Sequence, residues 1–283
     1  MIDETAAEIR EMRTHSSSVV ATKAARALRD LLDREYASVE EYVRSLERNS
    51  QALIRANPSH ASLVTTQREI QSTVEDADAD TVAAAKEVTR DVIDRVIDRV
   101  ETAAREAAAN VAADLSDGDT VLTHDYSTTV TSAIQQAADD GASLSVYTTE
   151  SRPLMLGRKS ARTLADIDAV DVTLVVDSAA GHVLDDCDRV LLGMDCIVED
   201  ALYNRVGTYP LAATAADADV PLTVTGASTK IVESGFRFEN DFRATSEVIR
   251  EPPEGFDVEN PAYDATPVRL VDEVVTEDGP ADV

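Results

Sequence analysis

Between Thr120 and Lys230 the chain alternates short β-branched runs with longer stretches rich in alanine and aspartate. The runs are Thr120-Val-Leu-Thr-His124, Ser143-Leu-Ser-Val-Tyr-Thr-Thr-Glu150, Asp171-Val-Thr-Leu-Val-Val-Asp177, Arg189-Val-Leu-Leu-Gly193 and Val220-Pro-Leu-Thr-Val-Thr-Gly226. Each ends in polar or glycine residues, and each intervening stretch is long enough for one helix. Such a rhythm builds a mainly parallel α/β sheet covered on both faces. In such sheets ligands bind beyond the carboxyl ends of the strands. The polar residues expected on that rim are His124, Asp125, Glu150, Arg152, Asp177, Asp195 and Lys230.

The region before this rhythm has a different period. Val19, Ala24, Ala27, Leu28, Leu31 and Leu32 recur three or four apart, with Arg and Glu between them. Ser38 followed by Val39-Glu-Glu41 has the form of a helix start: a hydroxyl cap with carboxylates in the first turn. From about Asp80 to Asp114 there is neither Gly nor Pro, and Val88, Val92, Ile93, Val96, Ile97 and Val100 form one stripe expected to pack against the other helices. The composition changes at Asp117-Gly118-Asp119. A helical N-terminal domain is therefore expected over 1–116, and a Rossmann-like α/β domain over 117–283. Phe236, Phe238 and Phe242 predict a packed loop. Thr266-Pro267 reads as a cap and first turn, which predicts a C-terminal helix from Val268 to Val275.

Net charge is −28, from Asp+Glu 54 against Lys+Arg 26, and the excess runs along the whole chain. That sign disfavours direct nucleic-acid binding. Abundant Asp with little Lys is expected of a halophilic protein, because molar salt shortens the Debye length to about 3 Å and screens self-repulsion. An acidic surface for a basic partner protein is a weaker reading of the same charge. No run reaches the roughly 20 apolar residues of a membrane span, so no membrane partner is expected. The first residues lack the basic and apolar regions of a signal peptide, and a soluble, cytoplasmic protein is expected. Cys187 and Cys196 have no metal-ligand spacing. No metal and no cofactor is expected.

His124-Asp125-Tyr126-Ser127, followed by Ser145-Val-Tyr-Thr-Thr-Glu-Ser-Arg-Pro153, resembles the alpha subunit of translation initiation factor 2B. Val175-Val-Asp-Ser-Ala-Ala180, Gly193-Met-Asp195, Asn204-Arg-Val-Gly-Thr208, the Lys230 region and Tyr263-Asp-Ala-Thr-Pro267 are similar to the wider family. That family holds the factor 2B alpha, beta and delta subunits, ribose-1,5-bisphosphate isomerase and methylthioribose-1-phosphate isomerase. The resemblance implies a helical domain followed by a Rossmann-like domain, assembled as a homodimer or higher oligomer.

The resemblance also implies site residues. The family's isomerases use a cysteine in Thr-His-Cys-Asn and an aspartate in Gly-x-Asp. Asp195 keeps the second, but Asp125 stands where the cysteine would be. Asp125 and Asp195 form a candidate carboxylate pair for proton transfer, while Asp125 alone also reads as a cap for the helix near Ser127. Arg13 and Ser16 occupy the family's phosphate-binding turn without its glycines. Asn204, Arg205 and Lys230 match its phosphate-binding asparagine and cations, with Arg205 in place of a lysine. Arg152 is a further candidate ligand residue, and Arg158 reads as either a ligand residue or a surface one. His124 reads as a hydrogen-bonding residue at a strand end.

The missing cysteine favours a non-catalytic factor 2B-like protein. It would bind a sugar phosphate or nucleotide and assemble with itself or with a translation initiation factor. The alternative is a phosphosugar aldose–ketose isomerase, an intramolecular oxidoreductase, with Asp125 in place of the cysteine.

Overall fold

The computed structural model describes residues 2–11, 17–232, 236–251 and 254–282. The chain divides into two compact units, one of residues 1–102 with 237–239 and one of residues 103–236 with 240–283.

The first unit is helical. It holds α1 (Ile2–Glu11), α2 (Ser17–Ala27), α3 (Val39–Ile54), α4 (Ala61–Asp76) and the greater part of α5 (Val82–Ala112). Ser38 caps α3 as expected: its Oγ accepts from the Glu41 amide at 3.3 Å, and the Glu41 carboxylate accepts from the Ala37 amide at 2.8 Å. The reciprocal pair satisfies two amides that the first turn leaves without helical partners. The stripe on α5 is buried among Leu28, Leu31, Leu46, Leu53, Leu63 and Ile70. Each such side chain contributes about 1.5–3 kcal/mol by leaving water. Tyr42 crosses this core and donates its hydroxyl to Thr89 at 2.7 Å.

The second unit is α/β. Its main sheet has the order β11–β10–β7–β4–β1–β2–β3. The strands are β1 (Thr120–Thr123), β2 (Leu144–Thr149), β3 (Val170–Val175), β4 (Arg189–Gly193), β7 (Leu222–Thr225), β10 (Glu273–Thr276) and β11 (Gly279–Pro280). All pairings are parallel except β10 with β11. Alternate residues serve opposite faces. Val121, Val146 and Leu191 pack with Ala133 and Ile134 of α6 (Thr128–Asp139) and Leu164 of α7 (Gly157–Ala165). On the other face Leu122, Val190, Leu192 and Val224 meet Val183 of α8 (Ala180–Val183) and Leu211, Ala212 and Ala215 of α9 (Thr208–Asp217). Both faces are thus covered, as continuous apolar strands require.

A smaller four-stranded sheet, β8–β5–β6–β9, was not visible in the sequence pattern. It contains β5 (Cys196–Val198), β6 (Ala201–Arg205), β8 (Ile231–Val232) and β9 (Tyr263–Pro267). β5 and β6 form a hairpin whose turn residue Glu199 has φ 52°.

Two expectations near the C-terminus are corrected. The segment 268–275 is not a helix: a 3-10 turn at Val268–Leu270 leads into β10. Thr266 and Pro267 end β9, and Thr266 turns its hydroxyl to Asp264 rather than capping a helix. Val274 and Val275 are buried on opposite faces of the main sheet, which is strand geometry. Phe242 is 63% exposed, so the packed phenylalanine loop does not hold for that residue.

Candidate functional site

After β1 the chain steps outward to β2 and β3, then returns to add β4, β7 and β10 on the other side of β1. The strand order therefore reverses between β1 and β4. The carboxyl ends of those two strands flank the crevice where ligands of such sheets sit. Asp125 follows β1 and Asp195 follows β4.

Asp125 sits in the left-handed region, with φ 65°, a conformation aspartate tolerates better than most residues. Two bonds hold its backbone there. Its amide donates to Ser151 Oγ at 2.7 Å, and its carbonyl accepts from the Ser160 hydroxyl at 2.6 Å. The Asp125 carboxylate faces Arg205, with Oδ2 3.4 Å from Nε, and Asp195 approaches the same nitrogen at 4.0 Å. The capping reading of Asp125 is corrected here. Ser127 caps α6 instead, accepting from the Val130 amide at 3.3 Å. Burial raises the Asp125 carboxyl above the usual aspartate range against the pull of Arg205, and Asp195 adds to the rise.

Arg205 is the last residue of β6 and pairs directly with Tyr263 of β9. Its guanidinium lies 4.8 Å from the Tyr263 ring centroid. Stacking on one face leaves the N–H edges pointing in the plane toward the two carboxylates. Burial, followed by Asp195, pushes the Tyr263 phenol up to about 12, so it stays a neutral platform. The Tyr263-Asp-Ala-Thr-Pro267 motif drew attention to this segment, but the part Tyr263 plays beside Arg205 depends on β6–β9 pairing across nearly sixty residues.

His124 is structural, as expected. Nε2 lies 3.0 Å from the Val206 carbonyl, which only accepts, so Nε2 carries the proton. Nδ1 then accepts from the Thr149 hydroxyl at 2.5 Å. Both ring nitrogens are thus engaged within the protein.

A small cleft, open to solvent, lies beside these groups. His124, Asp125, Ser151, Arg152, Arg205 and Arg243 line its polar side, and Pro153, Leu154 and Pro261 lie on its apolar side. Arg152 is therefore at the cleft, as is Arg243, which was not singled out from the sequence. Arg158 is turned to Glu150 at 2.7 Å. Asn204 and Lys230 are not among the lining residues. The Asn204 amide donates to the Gly193 carbonyl at 2.9 Å, and the Lys230 ammonium donates to the Met194 carbonyl. Both brace the end of β4 that carries Asp195. Burial lowers the Lys230 ammonium below the usual lysine range, and Asp195 opposes that shift. Arg13 and Ser16 lie outside the described residues.

The sequence pattern also puts a helix start after Asn204, aiming amide donors at a phosphate. The helix begins at Thr208, but Asp264 Oδ2 already accepts from the amides of Gly207 at 2.8 Å and Tyr209 at 3.1 Å. An internal carboxylate thus fills the place an external anion would take.

Neither cysteine supplies the thiolate of the resembling isomerases. Cys196 adjoins Asp195 but is buried, which pushes its thiol up to about 12; burial takes Cys187 to about 11. Among the described residues no group of His, Cys, Asp and Glu is arranged to hold a metal, and no helix is long and apolar enough to cross a membrane.

Residues 13–282 match the initiation factor 2 subunit family. The chain belongs to that family. Among curated relatives it is 33% identical to ribose 1,5-bisphosphate isomerase of Haloterrigena turkmenica, over 97% of this chain and 88% of that protein. Among solved structures it is similar to translation initiation factor eIF-2B of Pyrococcus horikoshii OT3, with a TM-score of 0.79, 24% identity and coverage of 99% and 96%. The tetrameric eIF2B-beta2-delta2 complex of C. thermophilum contains a similar chain, with a TM-score of 0.80, 19% identity and coverage of 99% and 90%. These two structures share the fold: a helical region followed by a mainly parallel sheet with helices.

Proposed function

We propose that the chain is an aldose–ketose isomerase of a phosphorylated pentose, using Asp125 and Asp195 in place of a cysteine–aspartate pair. The observation that carries this reading is the placement of both carboxylates on one guanidinium edge at the strand-order reversal. Isomerisation of a 1-phosphorylated pentose moves hydrogen from C2 to C1, takes the proton from the C2 hydroxyl and delivers one to the ring oxygen as the ring opens, so one group must accept a proton and another return it. A buried carboxyl raised above its usual range beside a second carboxylate suits that exchange. Arg205 lies between them and would neutralise charge developing on the substrate oxygens. The relatives named ribose 1,5-bisphosphate isomerase support this reading over the non-catalytic one favoured by the missing cysteine.

The direct test is incubation with ribose 1,5-bisphosphate and a panel of other sugar phosphates in molar salt, assayed for ketose. Asp125→Asn and Asp195→Asn should each lower turnover by about 10²–10⁴-fold, the usual contribution of a positioned acid or base. Absence of ketose from every sugar phosphate sinks the proposal.

One observation favours the non-catalytic reading as the second choice. Arg205 faces Asp125 and Asp195 in the free protein, an arrangement that would also hold a ligand without turning it over. Saturable binding of a sugar phosphate with no ketose formed would establish it. Under either reading we expect self-association, by analogy with the factor 2B tetramer. Light scattering in molar salt that found only a 30.4 kDa species would exclude it.

A further inference from the structure

We propose that Asp264 is a positioning residue: it sets Arg205 between Asp125 and Asp195 by clamping the turn that follows Arg205, with Thr208 as a second point of hold. The catalytic consequence rests on the isomerase reading; the clamp on Arg205 does not.

The turn from β6 into α9 has no cap of its own. Gly207 stands at the N-cap with φ 110° and no side chain. His124 packs so closely that a Cβ at 207 would lie 2.7 Å from its ring. The position that ordinarily carries a capping oxygen is therefore barred from having one. Asp264 supplies the oxygen from β9 instead. Its Oδ2 accepts from the Gly207 amide at 2.8 Å and the Tyr209 amide at 3.1 Å, and its Oδ1 accepts from the Thr266 hydroxyl at 3.3 Å. Asp264 does not line the cleft, so any effect it has on the chemistry passes through another residue.

That residue is Arg205. Register places Arg205 opposite Tyr263 and Asn204 opposite Asp264. Adjacent residues of a strand face opposite sides. β9 thus holds Arg205 twice: Tyr263 stacks on its guanidinium at 4.8 Å, and Asp264 fixes the backbone just beyond it. The Thr208 hydroxyl donates to the Arg205 carbonyl at 2.8 Å. The Val206 amide donates to the Ala262 carbonyl at 3.1 Å, and the Val206 carbonyl accepts from His124. Arg205 Nε lies 3.4 Å from Asp125 and 4.0 Å from Asp195. Both separations exceed the roughly 2.7–2.9 Å of a charge-assisted hydrogen bond. The carboxylates therefore do not lock the guanidinium; the ring and the backbone ties do.

Substitution separates position from charge at Asp264. Asparagine has the same shape. Its carbonyl oxygen accepts both amides, and its NH2 donates to the Thr266 hydroxyl, which also accepts. Alanine leaves both amides without a partner. A positioning role predicts that asparagine rescues what alanine loses.

The test measures kcat/KM with ribose 1,5-bisphosphate in molar potassium chloride. Beside it stands the Arg205 Nε–H signal in 15N spectra, assigned by its loss in Arg205→Lys. Asp264→Ala should lower kcat/KM by about tenfold to a hundredfold, the scale of a slightly misplaced group, and should shift the signal. Asp264→Asn should retain most of the activity and leave the signal in place. Thr208→Val removes the hold on the Arg205 carbonyl at nearly constant shape. It should act in the same direction as Asp264→Ala, and it decides the matter if that variant does not fold. Tyr42→Phe loses a buried hydroxyl bond of the helical unit, and should lower the melting temperature with kcat/KM and the signal unchanged. The clamp is overturned if Asp264→Ala leaves activity and signal at wild type. It is equally overturned if Asp264→Asn falls as far as Asp264→Ala, which would assign the effect to charge. If wild type forms no ketose, the isomerase reading fails alone and the Arg205 signal judges the clamp. A signal that moves in Asp264→Ala but not in Asp264→Asn upholds it, and one that moves in neither Asp264→Ala nor Thr208→Val sinks it.

Discussion

Asp125 Oδ2 lies 3.4 Å from Arg205 Nε, yet burial outweighs that attraction and raises the Asp125 carboxyl above its ordinary range. The folded state therefore holds the Asp125 proton more tightly than the unfolded chain does. The favourable contribution of the protonated group is complete below the ordinary aspartate value of about 4 and is lost as pH rises through the folded value. Asp125→Asn keeps the shape and never ionises. The urea midpoint of the variant relative to wild type should thus grow as pH rises from about 4 and then level off. Midpoints that run parallel, or a wild type that gains on the variant, would contradict the burial argument.

Gly207 has φ +110°, and a Cβ placed there would lie 2.7 Å from His124 Cε1 and Nε2. The glycine lets the chain pass from β6 into α9 with its backbone against the imidazole. Gly207→Ala should cost about 1–3 kcal/mol from backbone strain alone. It should also push the ring off the Val206 carbonyl, and with it the segment that carries Asp125. A lowered unfolding midpoint together with weaker sugar-phosphate binding is expected. An unchanged midpoint would show that the close approach is not maintained in solution.

Gln67 is fully buried on α4, and neither its Nε2 nor its Oε1 has a hydrogen-bond partner among the described residues. An amide buried without partners costs about 1–3 kcal/mol. Methionine has nearly the same length and no such demand. Gln67→Met should therefore raise the melting temperature while leaving ligand binding unchanged. A fall in melting temperature would mean that the amide is satisfied in solution.

The parallel sheet was legible because its central strands are buried on both faces. Residues such as Val121, Leu122, Val190 and Leu191 must all be apolar, and that continuity survives in the linear pattern. The stripe on α5 and the Ser38 cap were legible for the same local reason. The small sheet was not, because its strands are short and β6 pairs with β9 across nearly sixty residues. Residues 268–275 misled because Thr-Pro is a helix-start signal only where the chain is free to coil. Here Val274 and Val275 are claimed by β7 and the two sheet faces. At the site, Asp125, Asp195 and Arg205 were accessible through motif position and strand ends. The place of Tyr263 beside Arg205 and of Arg243 at the cleft was not, since each depends on pairings that only the tertiary fold supplies.

The last expectation concerns Asp125→Cys, which restores the residue type found at this position in the resembling isomerases. A thiol at this site meets the same burial that raises the Asp125 carboxyl, and Asp195 would further oppose its ionisation. Arg205 would favour the thiolate, but it is shared with Asp195 at 4.0 Å. The carboxylate pair also differs from a thiol–carboxylate pair in how its two members divide one proton. If the pair performs the proton transfer, Asp125→Cys should lower ketose formation by about 10²-fold or more, the scale of losing a matched acid or base. Binding of the sugar phosphate should change little, because Arg205 is untouched. A variant that turns over faster than wild type would overturn the carboxylate mechanism. It would instead identify the chain as a binding member of the family in which catalysis was lost at this one side chain.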